Sequence, residues 1–336
     1  MRGHHLKPLT PALSLQGEGE VKRVMIKQHT ITTPYMVGDV HCYSTRIDGE
    51  LVLFDTGPPT DQAWQLLQTE VDLSELRHVF ITHCHIDHWG NADRLARETG
   101  ATVYLPQRDS DKITHHQLRI RGMMEVMKAF GFDQTYLDAL RAEIDSDSTF
   151  PPFPARYQVV EESDVPQMLG IEVLACPGHS QSDLVYRVGD QAVTGDVLLR
   201  GIFQSPLLDI DLQSFSGRFQ NYHAYCTSIS NLVSLRDCLV LPGHRYNIES
   251  VDETILFYLR KLLGRAATLK PFARDKDIAS LINRLFADRE LPLFGIYLKA
   301  SEIIFMQDLI AEPELLRQAL ESAGLFAALS EEYHHL

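Results

Sequence analysis

Thr82-His-Cys-His-Ile-Asp-His88 closes the apolar run that begins at His78, and its reading decides the fold. In an extended backbone, residues i and i+2 point the same way, so His83 and His85 present two imidazoles to one point. Asp87 and His88 follow where the chain turns into a helix, and they face a second point close by. Imidazole and carboxylate together suit Zn²⁺, Fe²⁺ or Mn²⁺. Cys84, between the two histidines, reads as a small buried thiol facing the other way.

A single cluster of this kind arises by accident. A polar ligand type recurs, however, at the ends of three later strand-like runs: Cys176-Pro-Gly-His179, Thr194-Gly-Asp196 and Leu241-Pro-Gly-His244. Each has a glycine directly before the ligand, where a tight turn or a close backbone approach is needed. With Asp55 of the Asp-Thr-Gly turn, the chain carries five motifs in order. One histidine near a strand end is usually structural, but seven potential ligands in this arrangement are not.

That order resembles the metallo-β-lactamase superfamily over roughly residues 37–245. The resemblance implies an α/β (α+β) fold, a four-layer αββα sandwich with metals at one edge. It implies that His83, His85 and His179 hold a first metal, Asp87, His88 and His244 a second, and that Asp196 bridges them. Asp55 matches a position that orients the site rather than binding metal. The implied cofactors are two divalent ions, zinc first, with iron or manganese as alternatives. The implied activity is hydrolysis of an ester, thioester or lactone carbonyl by a metal-activated water, with Asp87 also orienting the water or shuttling its proton.

Working outward, 37–47 and 50–55 read as strands joined by an Asp48-Gly49 hairpin turn. Regular structure is expected to begin near Val37. An amphipathic helix over Asp61–Glu70 leads to the strand that ends in His83. A helix over 91–99 follows, stopped by Gly100, and then a short strand, Thr102–Pro106. Residues 108–168 break this rhythm as a helical insertion with a Pro-rich return. Strands resume over 171–179 and 183–196, with the turn at Gly189-Asp190. A long helix is expected over 211–235, a strand over 238–244, and helices from 250 onward. The domain reading is therefore a tail at 1–24, with Met25 as an alternative start, a sandwich over 25–268, and a helical C-terminal extension over 269–336 packed on it. Length alone, 336 residues, suggests about two domains.

The net charge of −14 argues against a large phosphate-contacting surface, and so against nucleic acid as a partner, while leaving room for a small basic pocket. Five scattered cysteines without a CxxC pair point away from disulfides and zinc knuckles and towards a reducing compartment. No secretory leader and no membrane-spanning run is apparent. The expectation is a cytoplasmic enzyme acting on a small molecule, with no membrane partner and with a homodimer allowed. The segment from Asp109 to Ser148, whose stripe of Met123, Met124, Met127, Phe130, Phe132 and Tyr136 is expected to divide between core and substrate contact, is expected to pack beside the metal edge and line an apolar acyl pocket. His115 and His116 read as solvated surface of the helical insertion rather than substrate contacts, and histidines 41, 223, 334 and 335 lack motif context. Two other readings stand behind the hydrolase. One is a mononuclear-iron persulfide dioxygenase-like enzyme, weakened because Asp196-Val-Leu-Leu-Arg-Gly-Ile-Phe departs from that branch. The other is a ligand-binding sensor that keeps the fold.

Overall fold

The computed structural model describes residues 25–145, 151–154 and 156–336. The expected tail at 1–24 lies outside the described residues. One sheet runs β1 (Lys27–Ile31), β2 (Val40–Ile47), β3 (Glu50–Phe54), β4 (Leu76–Phe80), β5 (Thr102–Leu105), β6 (Tyr157–Val159), in that spatial order. β1 to β3 are antiparallel and β3 to β6 parallel. The second sheet contains β7 (Ile171–Ala175), β8 (Leu184–Val188), β9 (Gln191–Gly195) and β10 (Leu239–Pro242), with β10 beside β9 in parallel. The β2–β3 hairpin turns at Asp48 (φ 49°) and Gly49 (φ 90°), and two left-handed residues match the strand twist.

The helices are α1 (Asp61–Glu70), α2 (Ile86–Trp89), α3 (Ala92–Thr99), α4 (Gln107–Thr114), α5 (His116–Ala129), α6 (Gln134–Ile144), α7 (Val165–Met168), α8 (Asn221–Val233), α9 (Val251–Leu269), α10 (Ile278–Leu285), α11 (Leu293–Ala311), α12 (Pro313–Ala323) and α13 (Ser330–Tyr333). Thr60 caps α1 by accepting from Ala63 N, and Gly100 ends α3 in the left-handed conformation.

Strand alternation gives each sheet two apolar faces, and these build three cores. Tyr43, Val52, Phe54 and Phe80 meet Leu184, Tyr186, Val193 and Leu241 between the sheets. The outer face of the first sheet (Leu51, Leu53, Val79, Val103) is covered by Trp64 and Leu67 of α1 and Leu95 of α3. The outer face of the second (Val185, Ala192, Val240) lies under α8, α9 and α11. The result is an αββα sandwich of four layers. Among the described residues no helix is long and apolar enough to cross a membrane.

Three expectations need correction. Regular structure starts at β1, ten residues before Val37, where buried His29 and Ile31 alternate with exposed neighbours. The helical stretch after β5 spans α4 to α6, and Tyr157–Val159 then returns to the sheet beside β5, so 108–168 is not wholly an insertion. The long helix over 211–235 is only α8. Asp211 accepts from Gln213 N and Ser214 N, and Phe215 is left-handed (φ 51°), which together hold that region in turns.

Candidate metal centre

The site residues lie where strand ends of both sheets meet. His83 and His85 follow β4, and Asp87 and His88 sit on the single turn of α2, which His85 precedes in extended conformation. Asp196 follows β9 and His244 follows β10. The seams are stitched by backbone bonds. Leu184 N donates to Thr82 O (2.9 Å), Gly243 N to Gly195 O (2.7 Å) and His41 N to Gly243 O (2.7 Å). Two glycines are obligatory here. A Cβ on Gly195 (φ 50°) would stand 2.6 Å from Thr82 Oγ1, and one on Gly243 would stand 2.6 Å from both Asp196 Oδ1 and His88 Cε1.

All seven sequence candidates come together. Their ligand atoms form three overlapping groups, His83–His85–His179, His83–His88–Asp196 and Asp87–His88–His244, each within 4.8 Å. Asp196 divides its oxygens between the halves. Oδ1 lies 3.4 Å from His88 Nε2 and 3.5 Å from His244 Nε2, while Oδ2 lies 3.8 Å from His179 Nε2. Asp87 Oδ2 is 3.3 Å from His244 Nε2. His85 Nδ1 and His179 Nε2 approach to 3.1 Å.

The far nitrogens of four of the five rings, all but His85, are fixed by acceptors. His88 Nδ1 donates to Asp55 Oδ2 (2.8 Å), His179 Nδ1 to Ser205 O (2.8 Å) and His244 Nδ1 to Asp39 O (2.7 Å). Thr82 Oγ1 donates to Asp55 Oδ2, so its oxygen is left to accept from His83 Nδ1 at 3.1 Å. These bonds select the tautomer whose Nε2 lone pair points inward. The buried His83, His88 and His244 Nε2 atoms and Asp196 Oδ1 have no hydrogen-bond partner. An unmade buried bond costs about 1–3 kcal/mol, so four converging ones fit a cation-binding donor set. Asp55 itself is left-handed (φ 58°), which turns its carboxylate onto Thr82 N (2.8 Å) and His88.

Electrostatics divides the cluster. Burial drives the His83 and His85 imidazoles well below their usual range, and neighbouring imidazolium charge adds to it. Burial opposes a proton on His88 and His244 too, but Asp196 and Asp87 outweigh it and raise both. Burial also opposes the charge on Asp196, yet His244 and His88 hold its carboxyl well below the carboxylate range.

Several contributors escape a reading of the sequence. Asp109 on α4 accepts from Cys84 N with Oδ2 (2.5 Å) and meets Lys112 Nζ with Oδ1 (2.7 Å), while Lys112 Nζ donates to Cys84 O (2.9 Å). This buried pair grips both backbone groups of the residue between His83 and His85. Cys84, as expected, is a small buried thiol, packed in the core on the outer face of the first sheet. His41 joins the site from β2, bonding Arg245 O through Nε2 (2.7 Å). Tyr35 is half-buried, and burial first and the Asp87 charge second raise its hydroxyl pKa. Beside it Met36 is exposed. His116 pairs with Asp145 and His223 with Glu312, away from the cluster. The expected acyl pocket is not formed by the Met stripe. Met123 and Met127 are fully buried in the core shared with α8, α9 and α11.

The chain is similar to known proteins in both sequence and fold. A family model described as the metallo-beta-lactamase superfamily matches residues 35–244. The chain is 26% identical over 322 residues to the probable metallo-hydrolase YqjP of Bacillus subtilis (strain 168), covering 90% of this chain and 91% of that one. It is 29% identical over 104 residues to the probable polyketide biosynthesis zinc-dependent hydrolase PksB of the same organism, covering 30% of this chain and 43% of that one. A beta-lactamase domain protein from Burkholderia ambifaria shares the fold, with a TM-score of 0.67, 19% identity, and coverage of 84% of this chain and 86% of that one.

Proposed function

The chain belongs to the metallo-β-lactamase superfamily, and from that membership we propose that it is a metal-dependent hydrolase cleaving an ester, thioester or lactone bond in a small molecule. His83, His85 and His179 would hold one divalent ion, Asp87, His88 and His244 a second, and Asp196 would reach both. The observation that carries this reading is the division of Asp196 between two sets of inward nitrogens, most of them without another partner. Zinc is the first choice, since imidazole-rich sites suit it and one relative is named zinc-dependent.

Bound ions would supply a nucleophile at neutral pH, because coordination can lower the pKa of water from 15.7 to roughly 7, and would polarise the carbonyl. The protein's own part is positional. Asp55, Ser205 O and Asp39 O hold the rings in one tautomer, and the Asp109–Lys112 pair fixes the loop. Asp87 has a carboxylate oxygen facing the cluster and is the residue placed to accept and pass on a proton. No serine or cysteine nucleophile is needed. Convergence of Asp87, His88 and His244 on a second point favours two ions over a mononuclear oxygenase.

The test is metal analysis of the purified protein together with a panel of esters, thioesters and lactones. Turnover with about two metal ions per chain and no oxygen uptake is expected, and Asp196→Ala should lose metal and activity together. Stoichiometric oxygen consumption with a persulfide, or Asp196→Ala retaining both metals, would overturn the reading.

A further inference from the structure

An open groove of about 660 Å³ is lined by Arg200, Gly201, Ile202, Arg245 and Tyr246. Both walls grow from the candidate centre. Arg245 directly follows His244, and Arg200 follows Asp196 by four positions. Arg245 therefore ties one edge of the groove to a candidate ligand, His244.

The lining runs against the charge of the molecule. The chain carries −14 overall, yet two guanidinium groups share this wall. Arg245 is exposed, and among the described residues only its carbonyl is engaged, by His41 Nε2 at 2.7 Å. Its backbone is left-handed (φ 68°), a conformation that residues with a Cβ avoid. Such conformations persist where surrounding bonds over-determine them, and they gather at ligand sites. Here the His41 bond and the Gly243 turn impose the conformation at the groove's edge. Arg200 reaches Glu249 at 2.9 Å, but those side chains are 48% and 81% exposed. An ion pair so exposed is weak and readily exchanged for another anion. Tyr246, 73% exposed, supplies an aromatic face.

We infer that this groove is the recognition subsite for an anionic group, a carboxylate or a phosphate, carried by the substrate away from the bond that is cut. The substrate's identity as a hydrolysable carbonyl compound rests on the function proposed above, whereas the anion site stands on the groove itself. A guanidinium fork matches both oxyanions with paired N–H···O bonds. Scattered surface arginines would serve solubility alone, but these two converge on one concavity and one of them is held in an unfavourable backbone conformation.

The experiment is calorimetric titration of the zinc-loaded protein with methyl hydrogen succinate, with propyl phosphate and with neutral dimethyl succinate. At least one anionic probe binds and the diester does not, the stronger anion identifying the group. Arg245→Gln and Arg200→Gln each weaken that binding about tenfold, the scale of a charge-assisted hydrogen bond, with zinc content unchanged. Variants that bind as the unmodified protein does, or a diester that binds as tightly as the acids, overturn the proposal. A kinetic arm compares 4-nitrophenyl hydrogen succinate with 4-nitrophenyl butyrate, and Arg245→Gln lowers the ratio of their kcat/KM values about tenfold. If neither ester is turned over while the calorimetric differences persist, the hydrolase reading fails and the anion site stands. If both esters are turned over and neither the ratio nor the binding changes, the hydrolase stands and the anion site fails.

Discussion

His83 and His88 have ring centroids 4.3 Å apart, yet they hold protons in opposite ways. Burial leaves His83 neutral, as it does His85, while Asp196 and Asp87 raise His88 and His244. The sign follows directly. A raised imidazole keeps its proton to higher pH in the metal-free protein than an ordinary one does, and a ligand must be neutral, so metal uptake in that range expels the proton. Affinity should then rise with pH until His88 and His244 have already lost theirs. Zinc calorimetry near pH 7 in two buffers of different ionisation enthalpy measures the release, and a value of zero would show that the carboxylates do not protonate these rings. A second residue-scale expectation concerns Asp109. Asp109→Asn removes the charge that balances buried Lys112 and loosens its grip on Cys84. Metal affinity should fall by about 10–100-fold, as for other groups that orient ligands. Titration against a chelator checks it, and unchanged affinity in a folded variant would reduce the pair to packing. All seven candidate ligands were legible because residue type, spacing and the preceding glycine coincide. Asp109 and Lys112 were not, because two charged residues three apart on a helix look like a solvated pair until tertiary packing buries them.

Strand ends are where this fold leaves least freedom. Gly243 lies against Asp196 and His88, so Gly243→Ala forces either β10 or the Asp196 loop to move. The expected outcome is loss of at least one of two metal equivalents with the sandwich still folded, read by metal analysis and circular dichroism; full occupancy would show that the loop yields cheaply. The strands and α1 were readable because alternation and a Thr60 cap are local signals. Region 211–220 was not, since its apolar residues keep a helical period while Asp211 and the left-handed Phe215 bind the chain into turns. Periodicity also fails to say what a stripe faces. Met123 and Met127 follow the helical period, and both are buried in the core that includes α11 rather than lining a pocket. Met127→Ala should therefore cost about 2–5 kcal/mol of stability while leaving the preference among substrates as it was. Denaturant unfolding and a chain-length series separate the two, and a shifted preference at unchanged stability would restore the pocket.

At the scale of the whole molecule, the C-terminal helices reach the candidate centre through one chain of contacts. Glu302 on α11 is buried between Arg265 of α9 (3.1 Å) and Lys299 (2.9 Å), and it accepts from Ser205 Oγ at 2.6 Å. Ser205 O in turn fixes His179 Nδ1. Neighbouring bonds keep the same loop on α11: Leu208 N donates to Ser301 Oγ (3.1 Å) and Tyr297 OH to Leu208 O (2.6 Å). Nothing in the sequence announces this link, because its members lie 97 positions apart between Ser205 and Glu302. It makes a selective prediction. His179 belongs to one ligand group, with His83 and His85, while Asp196 reaches both halves. Glu302→Ala frees Ser205 and leaves two cations without their acid, so the ring of His179 loses its fixed orientation. One metal should then bind about tenfold or more weakly while the other keeps its affinity. Glu302→Gln still offers Ser205 an acceptor and should recover most of the loss. Stepwise zinc titration resolves the two events. Equal weakening at both sites would mean that the substitution acts through general destabilisation, and no weakening at either would mean that α11 supports the fold but not the metal.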